Sequence, residues 1–271
     1  MKIISVGDNT ADCYIDEKIY FPGGNALNVA VNCKKNGADK VGYLGVFGDD
    51  VLADNIKDCL TKYDVSYERS RKVYAHTGQP KVKLIDGDRT FLPGPRNSCQ
   101  QLFSIKLMKE DVEMISEYEI CHTSCFSNLE YELPTLSKIC DISFDFSDEF
   151  DLDYMKRVCP YLTYGFFSAS DKSDSQCVDI LKTAKKLGTK IVGVTRGFKG
   201  AMFFDGEKIY TQEVKYVKAI DTMGAGDSFI AGFLTSYSDD KNMEKALNYA
   251  AITASQTCLV RGGFGNPYPI L

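Results

Sequence analysis

Two kinds of apolar spacing alternate along this chain. Residues 2–6, 41–47, 142–146, 162–167 and 190–194 form short apolar runs of the length and β-branched or aromatic content expected of buried strands. Residues 25–35, 51–63, 173–187 and 243–258 instead place apolar side chains at helical intervals. Near the C-terminus, Phe229, Ile230, Phe233, Leu234 and Tyr237 fall at i, i+1, i+4, i+5 and i+8, which predicts an amphipathic helix over 225–237. Strands alternating with helices imply an α/β protein whose mainly parallel sheet is covered on both faces. Two segments break the alternation. Residues 13–21, and residues 74–92 with Asp86-Gly87 as a hairpin turn, read as alternating strands with little core of their own. No repeat, low-complexity stretch or flexible linker interrupts the chain, so the expectation is one domain over 1–271 with those strands inserted in it.

Composition narrows the class. With 44% hydrophobic residues in 271, the chain has enough apolar material for a full core. Its net charge of -5 and the absence of a basic block argue against nucleic-acid binding. The sequence opens on a strand pattern without a signal segment and holds no apolar run of about 18 residues, so a cytoplasmic protein with no membrane contact is expected. The ten cysteines are spread through core-like segments and read as reduced thiols. Cys121, His122 and Cys125 are too few, without a second cluster, to predict a zinc site, and His76 stands isolated.

Chemistry concentrates in three places. Asp221-Thr222-Met223-Gly224-Ala225-Gly226-Asp227 runs into the predicted helix, so Gly224, Ala225 and Gly226 sit at a helix N-terminus, where unpaired amides and the helix dipole attract an anion. A carboxylate inside such a cradle suits a base that takes a proton from an attacking hydroxyl. Taken alone, Asp227 is equally a first-turn acid that complements the dipole. Thr195, Gly197 and Gly200 form a loop after a strand, either a nucleotide-phosphate contact or a turn into a hairpin around Asp205-Gly206. Gly23 and Gly24 open a helix that carries Asn25 and Asn28 on one face, amides that suit a polyhydroxylated ligand.

In this order, and with Gly7-Asp8-Asn9-Thr10-Ala11-Asp12 after the first strand, these segments resemble the ribokinase or PfkB family of carbohydrate kinases over nearly the whole chain, and within it the fructoselysine 6-kinases. The resemblance implies a three-layer α/β/α sandwich with a small β lid, which in many members also pairs two subunits into a homodimer. It implies ATP and Mg2+ as cofactors, a small sugar as substrate, and phosphorylation of a sugar hydroxyl, fructoselysine being the first expectation and another sugar or nucleoside the alternative. Asp227 becomes the general base and the 224–227 amides the anion hole. Asp8, Asp12, Gly23, Gly24, Asn25 and Asn28 line the sugar; Thr195, Gly197, Gly200 and Ala251 meet the nucleotide; Asp221 lies where some members hold K+.

Two departures accompany the resemblance. Ser168-Ala169-Ser170-Asp171 stands where an Asn-x-x-Glu element is common, leaving Asp171 to act on magnesium through water. Asp145-Phe146-Ser147-Asp148-Glu149 lacks the Arg of the usual Asp-x-Asn-x-Arg strand, with Lys172, Arg196 and Lys199 as replacements for its charge. These departures keep a non-catalytic sugar-binding sensor open as an alternative, whereas a Walker P-loop is absent and Gly224-Ala225-Gly226 lacks the third glycine of a dinucleotide fingerprint.

Overall fold

The computed structural model describes residues 1–85, 88–94 and 97–270. Its strands are β1 (Lys2–Val6), β2 (Thr10–Tyr14), β3 (Ile19–Gly23), β4 (Lys40–Leu44), β5 (Val46–Phe47), β6 (Arg71–Lys72), β7 (Lys81–Ile85), β8 (Asp88–Leu92), β9 (Ile120–Ser124), β10 (Asp141–Asp145), β11 (Tyr164–Ser168), β12 (Ile191–Thr195), β13 (Ala201–Phe204), β14 (Ile209–Gln212) and β15 (Tyr268–Pro269). Its α-helices are α1 (Asn25–Lys35), α2 (Val51–Lys62), α3 (Cys99–Leu102), α4 (Lys109–Ile115), α5 (Leu133–Leu136), α6 (Leu152–Val158), α7 (Asp174–Lys186), α8 (Ala225–Asp240) and α9 (Met243–Thr257).

Eight strands form the central sheet in the order β14-β13-β12-β11-β10-β9-β1-β4. Pairing is parallel from β4 through β12, and the β13–β14 hairpin adds an antiparallel edge. Neighbouring residues of a strand enter opposite cores, as Ile3 and Ile4 do. One core joins the sheet to α1, α2, α8 and α9; the other joins it to α4, α5, α6 and α7. This is the expected three-layer α/β/α sandwich, and near-continuous apolar strands follow from burial on both faces.

The parallel arrangement sends the ends of β1, β9, β10, β11 and β12 to one edge of the sheet. Gly7, Asp8 and Asn9 follow β1, Asp145 ends β10, and Thr195 ends β12. In open α/β sheets that edge is where ligands bind.

Above it lies a five-stranded sheet, β15-β3-β2-β7-β8. The segment expected as a strand over 13–21 is a hairpin: β2 and β3 run from Thr10 to Gly23 around a turn at 15–18. The segment over 74–92 becomes strand only at β7 and β8, which pair antiparallel, and its expected Asp86-Gly87 turn lies outside the described residues. Tyr14, Phe21, Val82 and Met223 bury one another where this sheet meets the turn before α8.

Sequence patterning missed β9. Ile120, Cys121, His122, Thr123 and Ser124 are all buried between β1 and β10, yet three of the five are polar and no apolar run marks the strand. The run over 41–47 divides at Gly45 into β4 and β5, the latter pairing with β6 in a separate ribbon. Among the described residues no helix is long and apolar enough to cross a membrane.

Phe233 of α8 anchors this helix to the sheet. It stacks on Tyr237 at 5.3 Å between ring centroids and meets Phe203 at 4.8 Å, Phe166 at 5.9 Å and Tyr164 at 6.3 Å. Replacing it, Phe233→Ala, leaves a cavity under α8 and should cost about 3–5 kcal/mol of stability. Urea unfolding checks this; a loss below about 1 kcal/mol would show that α8 is held by other contacts.

Candidate active site

Asp227 lies in the first turn of α8, and its two carboxylate oxygens receive hydrogen bonds from the first turn of α1. Asn25 donates Nδ2–H to Oδ1 at 2.8 Å, and Asn28 donates Nδ2–H to Oδ2 at 2.7 Å. The two asparagines fall on one helical face at a spacing of three, so α1 presents both amides to the same acid. The other Asn25 Nδ2 contact is Asp145 Oδ2, also at 2.8 Å. One amide thus bridges two carboxylates.

Local backbone makes these approaches possible. Gly24 precedes α1 at φ 103°, and a Cβ there would lie 2.7 Å from the Asn9 Cα. Gly224 precedes α8 at φ 70°, and a Cβ there would lie 2.5 Å from the Gly263 Cα. Both conformations are readily open to glycine alone, and both contacts bring a neighbouring loop tightly against a helix start. No side chain caps α8. The Ala225 amide turns back to the Thr222 carbonyl at 3.3 Å, whereas among the described residues the amides of Gly226 and Asp227 have no acceptor. Gly226 faces open space. Of the four amides expected to form an anion hole over 224–227, that of Ala225 alone is engaged among the described residues.

Carboxylates crowd this point. Asp12 of β2 is buried and accepts from Thr10 Oγ1 at 2.7 Å; a Cβ on Gly23 would strike its carboxylate. Asp145 is buried and accepts from the Ser147 amide at 2.8 Å as well as from Asn25. Burial pushes Asp12 and Asp145 up to about 7, with the Asp227 and Asp8 charges adding to the rise in both. Burial also raises Asp227, but the Asn28 and Asn25 donors and the Arg89 charge oppose it and leave it at about 6. Three acids held so far above the usual carboxylate range mark a candidate functional cleft.

Asp8 has a different setting. Its Oδ2 accepts from the Asn25 amide at 2.7 Å, and its Oδ1 accepts from the Ala26 amide, Ser124 Oγ and Ser127 Oγ at 3.1–3.3 Å. It supplies the start of α1 with the acceptor that Gly24 cannot provide. Asn28 Oδ1, by contrast, is a buried acceptor without a partner among the described residues.

Arg89, unmarked in the sequence, reaches from β8 to donate Nη1–H to the Thr222 carbonyl at 3.0 Å, and its charge acts on both Asp12 and Asp227. The cations named from sequence are otherwise engaged. Buried Arg196 donates to Asp174 Oδ1 at 2.6 Å and to the Lys199 carbonyl at 2.8 Å, which fixes its own loop. Lys199 donates to the Ser170 carbonyl at 3.0 Å, and Lys172 lies 3.1 Å from Asp171. A further cation of the sequence, Arg96, lies outside the described residues.

The expected nucleotide side is adjacent. Thr195 pairs in register with Ser168, so the loop through Gly197 and Gly200 borders the Ser168–Asp171 stretch. The Thr195 and Ser168 hydroxyls are 3.5 Å apart. Gly200 packs so closely on the Gln212 carbonyl that a Cβ would lie 2.0 Å from it. Asp171 is exposed, and Lys172 holds its carboxyl below the usual range. Ala251 is buried in the core that includes α8 and α9. The Asp221 carboxylate is fully buried and accepts from Tyr14 Oη at 2.6 Å and from the Met223 and Gly262 amides at 2.9 Å. Among the described residues no group of three or more His, Cys, Asp or Glu could hold a metal ion. His76 is exposed, and all ten cysteines are free.

The raised acids give stability a pH signature. The unfolded chain releases the Asp12 proton near pH 4, whereas the folded chain holds it to about 7, so stability is present below the first value and is lost as pH rises through the second. Asp12→Asn removes that loss and should stabilise the protein by about 2 kcal/mol at pH 8, with little gain at pH 4. Urea unfolding at the two pH values checks this; an equal effect at both would deny the charge strain.

Comparison with known proteins places this geometry. The family described as pfkB family carbohydrate kinase matches residues 4–159 and 164–269. Fructosamine kinase FrlD of Bacillus subtilis is 43% identical over 270 residues, covering 99% of this chain and 95% of its own. The fructoselysine 6-kinase of Escherichia coli is 31% identical over 263 residues, covering 97% and 99%. Among solved structures, Arabidopsis thaliana ribokinase complexed with ribose and ATP superposes with a TM-score of 0.82 at 21% identity, covering 98% of this chain and 95% of that one. This likeness bears on the fold. Sequence, fold and the acid between two helix starts agree: the chain belongs to the pfkB family of carbohydrate kinases and is an ATP-dependent sugar kinase.

Proposed function

We propose that this kinase phosphorylates the 6-hydroxyl of fructoselysine, or of a closely related fructosamine, with Asp227 as the general base. The observation that carries the catalytic part is the setting of Asp227: two amide donors hold it at about 6, beside the unpaired amides of Gly226 and Asp227. A base poised just below neutral pH is ionised when needed and still takes a proton readily. The 43% and 31% identical relatives support the substrate. So does the charge of the cleft, where Asp8, Asp12, Asp145 and Asp227 converge and Arg89 is the cation whose field reaches Asp12 and Asp227. A fructosamine carries an amine that is cationic at neutral pH, and an acid-rich cleft favours it over a neutral sugar.

In this reading Asp12 and the free Asn28 Oδ1 orient sugar hydroxyls, and Asp227 accepts the proton of the attacking one. The Gly226 and Asp227 amides and Arg89 stabilise negative charge that builds beside α8. Gly23, Gly24 and Asn25 shape the sugar side. ATP supplies the phosphoryl group, and Mg2+ offsets the charge of its phosphates. Thr195, Gly197, Gly200 and Ala251 would hold the nucleotide; Asp171, an exposed carboxylate paired with Lys172, suits an ion held through water. The exposed Ile85 and Phe91 of the lid sheet form the surface through which two copies would pair, and the cytosol, which supplies ATP and keeps thiols reduced, is the fitting compartment.

Turnover should fall at low pH with a midpoint near 6, as Asp227 takes up its proton. Asp227→Asn should reduce turnover about a hundredfold or more. ADP release with fructoselysine, fructose and ribose measures both; a variant as active as the native protein would remove Asp227 from the mechanism, and a preference for plain fructose would overturn the substrate. Arg89→Met should lower turnover about tenfold and move the acidic midpoint upward, because the charge that helps keep Asp227 ionised is gone. An unchanged pH profile would leave Arg89 without a role in the cleft.

A further inference from the structure

Behind Asn25 the hydrogen bonds continue into the central sheet. His122 of β9 is fully buried, with Nε2 3.0 Å from Asn25 Oδ1 and Nδ1 2.8 Å from Ser143 Oγ of β10. The contacts fix the direction of each bond. Asp227 and Asp145 can only accept when ionised, so Asn25 must turn its NH2 toward them and its carbonyl toward His122. A carbonyl oxygen needs a donor, so His122 carries its proton on Nε2. Nδ1 is then bare and accepts from the Ser143 hydroxyl. Burial pushes the imidazole down to about 3, which keeps it neutral with one proton to give.

Resting on Asp227 as the base, we propose that His122 is a positioning residue, whose Nε2–H locks the Asn25 amide so that both of its N–H groups face Asp227 and Asp145. With the opposite tautomer, a bare Nε2 would face a carbonyl oxygen, and relief by turning the amide would set Asn25 Oδ1 against two carboxylates. Without any donor at 122, Asn25 keeps a buried, unpaired carbonyl and loses its fixed rotamer. Among the described residues, the charged or titratable groups facing Asp227 are Asp8 after β1, Asp12 of β2, Arg89 of β8 and Asp145 of β10. Of these, Arg89 alone is cationic, so the directed amides of Asn25 and Asn28 carry much of what keeps the base ionised.

The tautomer is read directly in the native protein from the nitrogen chemical shifts of His122, without a substitution. At about pH 8, where Asp227 and Asp145 are both ionised, a neutral ring protonated on Nε2 is expected; an imidazolium, or a proton on Nδ1, overturns the proposal. In the ligand-free protein, the Asp227 carboxyl carbon should titrate about one pH unit higher in His122→Phe than in the native chain, the scale of losing one hydrogen bond to a charge. Turnover should fall about tenfold with the KM for ATP unchanged, and His122→Gln, which restores a donor, should recover most of both. A His122→Phe protein whose Asp227 titrates as in the native chain, or a His122→Gln protein no better than His122→Phe, overturns it. Asp227→Asn separates the two readings. If that variant keeps its turnover, the base assignment fails while the tautomer and titration still decide the positioning; if it is inactive and His122→Phe leaves the titration unmoved, the positioning alone fails.

Discussion

The pair of hydrogen bonds from Asn25 and Asn28 to Asp227 joins two helices that begin some two hundred residues apart in sequence. It requires α1 and α8 to start at the same point, and much else serves that requirement. Gly24 and Gly224 allow the chain to enter both helices in conformations that a side chain would forbid. Asp8 receives the amides that the α1 start leaves open. Phe233 and its aromatic neighbours set the depth of α8 against the sheet. The lid closes the arrangement from above, with Tyr14 donating to Asp221 in the turn before α8.

Electrostatics turns this geometry into chemistry. Burial raises Asp12, Asp145 and Asp227, and the charges of neighbouring acids add to the rise. Donors decide how far each goes. Asp227 receives two side-chain amides and feels Arg89, and it ends lower than Asp12 or Asp145. In the proposed mechanism this leaves Asp227 the most readily ionised of the three, the setting that a base near neutral pH requires. The cost is a folded state strained by its own charge above neutral pH, the usual exchange of stability for function.

What could be read from the sequence was what local signals encode. Apolar spacing marked most of the parallel strands and the long helices, and the glycine-rich starts at Gly23-Gly24 and Gly224-Ala225-Gly226 pointed to the two places that converge. Strand β9 escaped because three of its five fully buried residues, His122, Thr123 and Ser124, are polar, and the partners of His122 and Ser124 lie on other elements; Cys121, His122 and Cys125 were too few to predict a zinc site, and His122 meets Asn25 and Ser143 instead. Asp145 was noticed only for the Arg missing after it, because no sequence spacing relates it to Asn25. Arg89 sat in a polar strand like any surface residue until the lid brought it to Thr222. Strand β2 begins at Thr10 because pairing with β3 continues through Asp12 to Gly23, an extension into polar residues that alternation alone does not signal.

A crystal structure with fructoselysine and a non-hydrolysable ATP analogue tests the central claim most directly. The account predicts the 6-hydroxyl within about 2.6–3.2 Å of an Asp227 carboxylate oxygen and in line with the γ-phosphorus, with the γ-phosphate at the Gly226 and Asp227 amides and both asparagine donors still in place. A 6-hydroxyl directed at another group, or a γ-phosphate seated away from the start of α8, would contradict it.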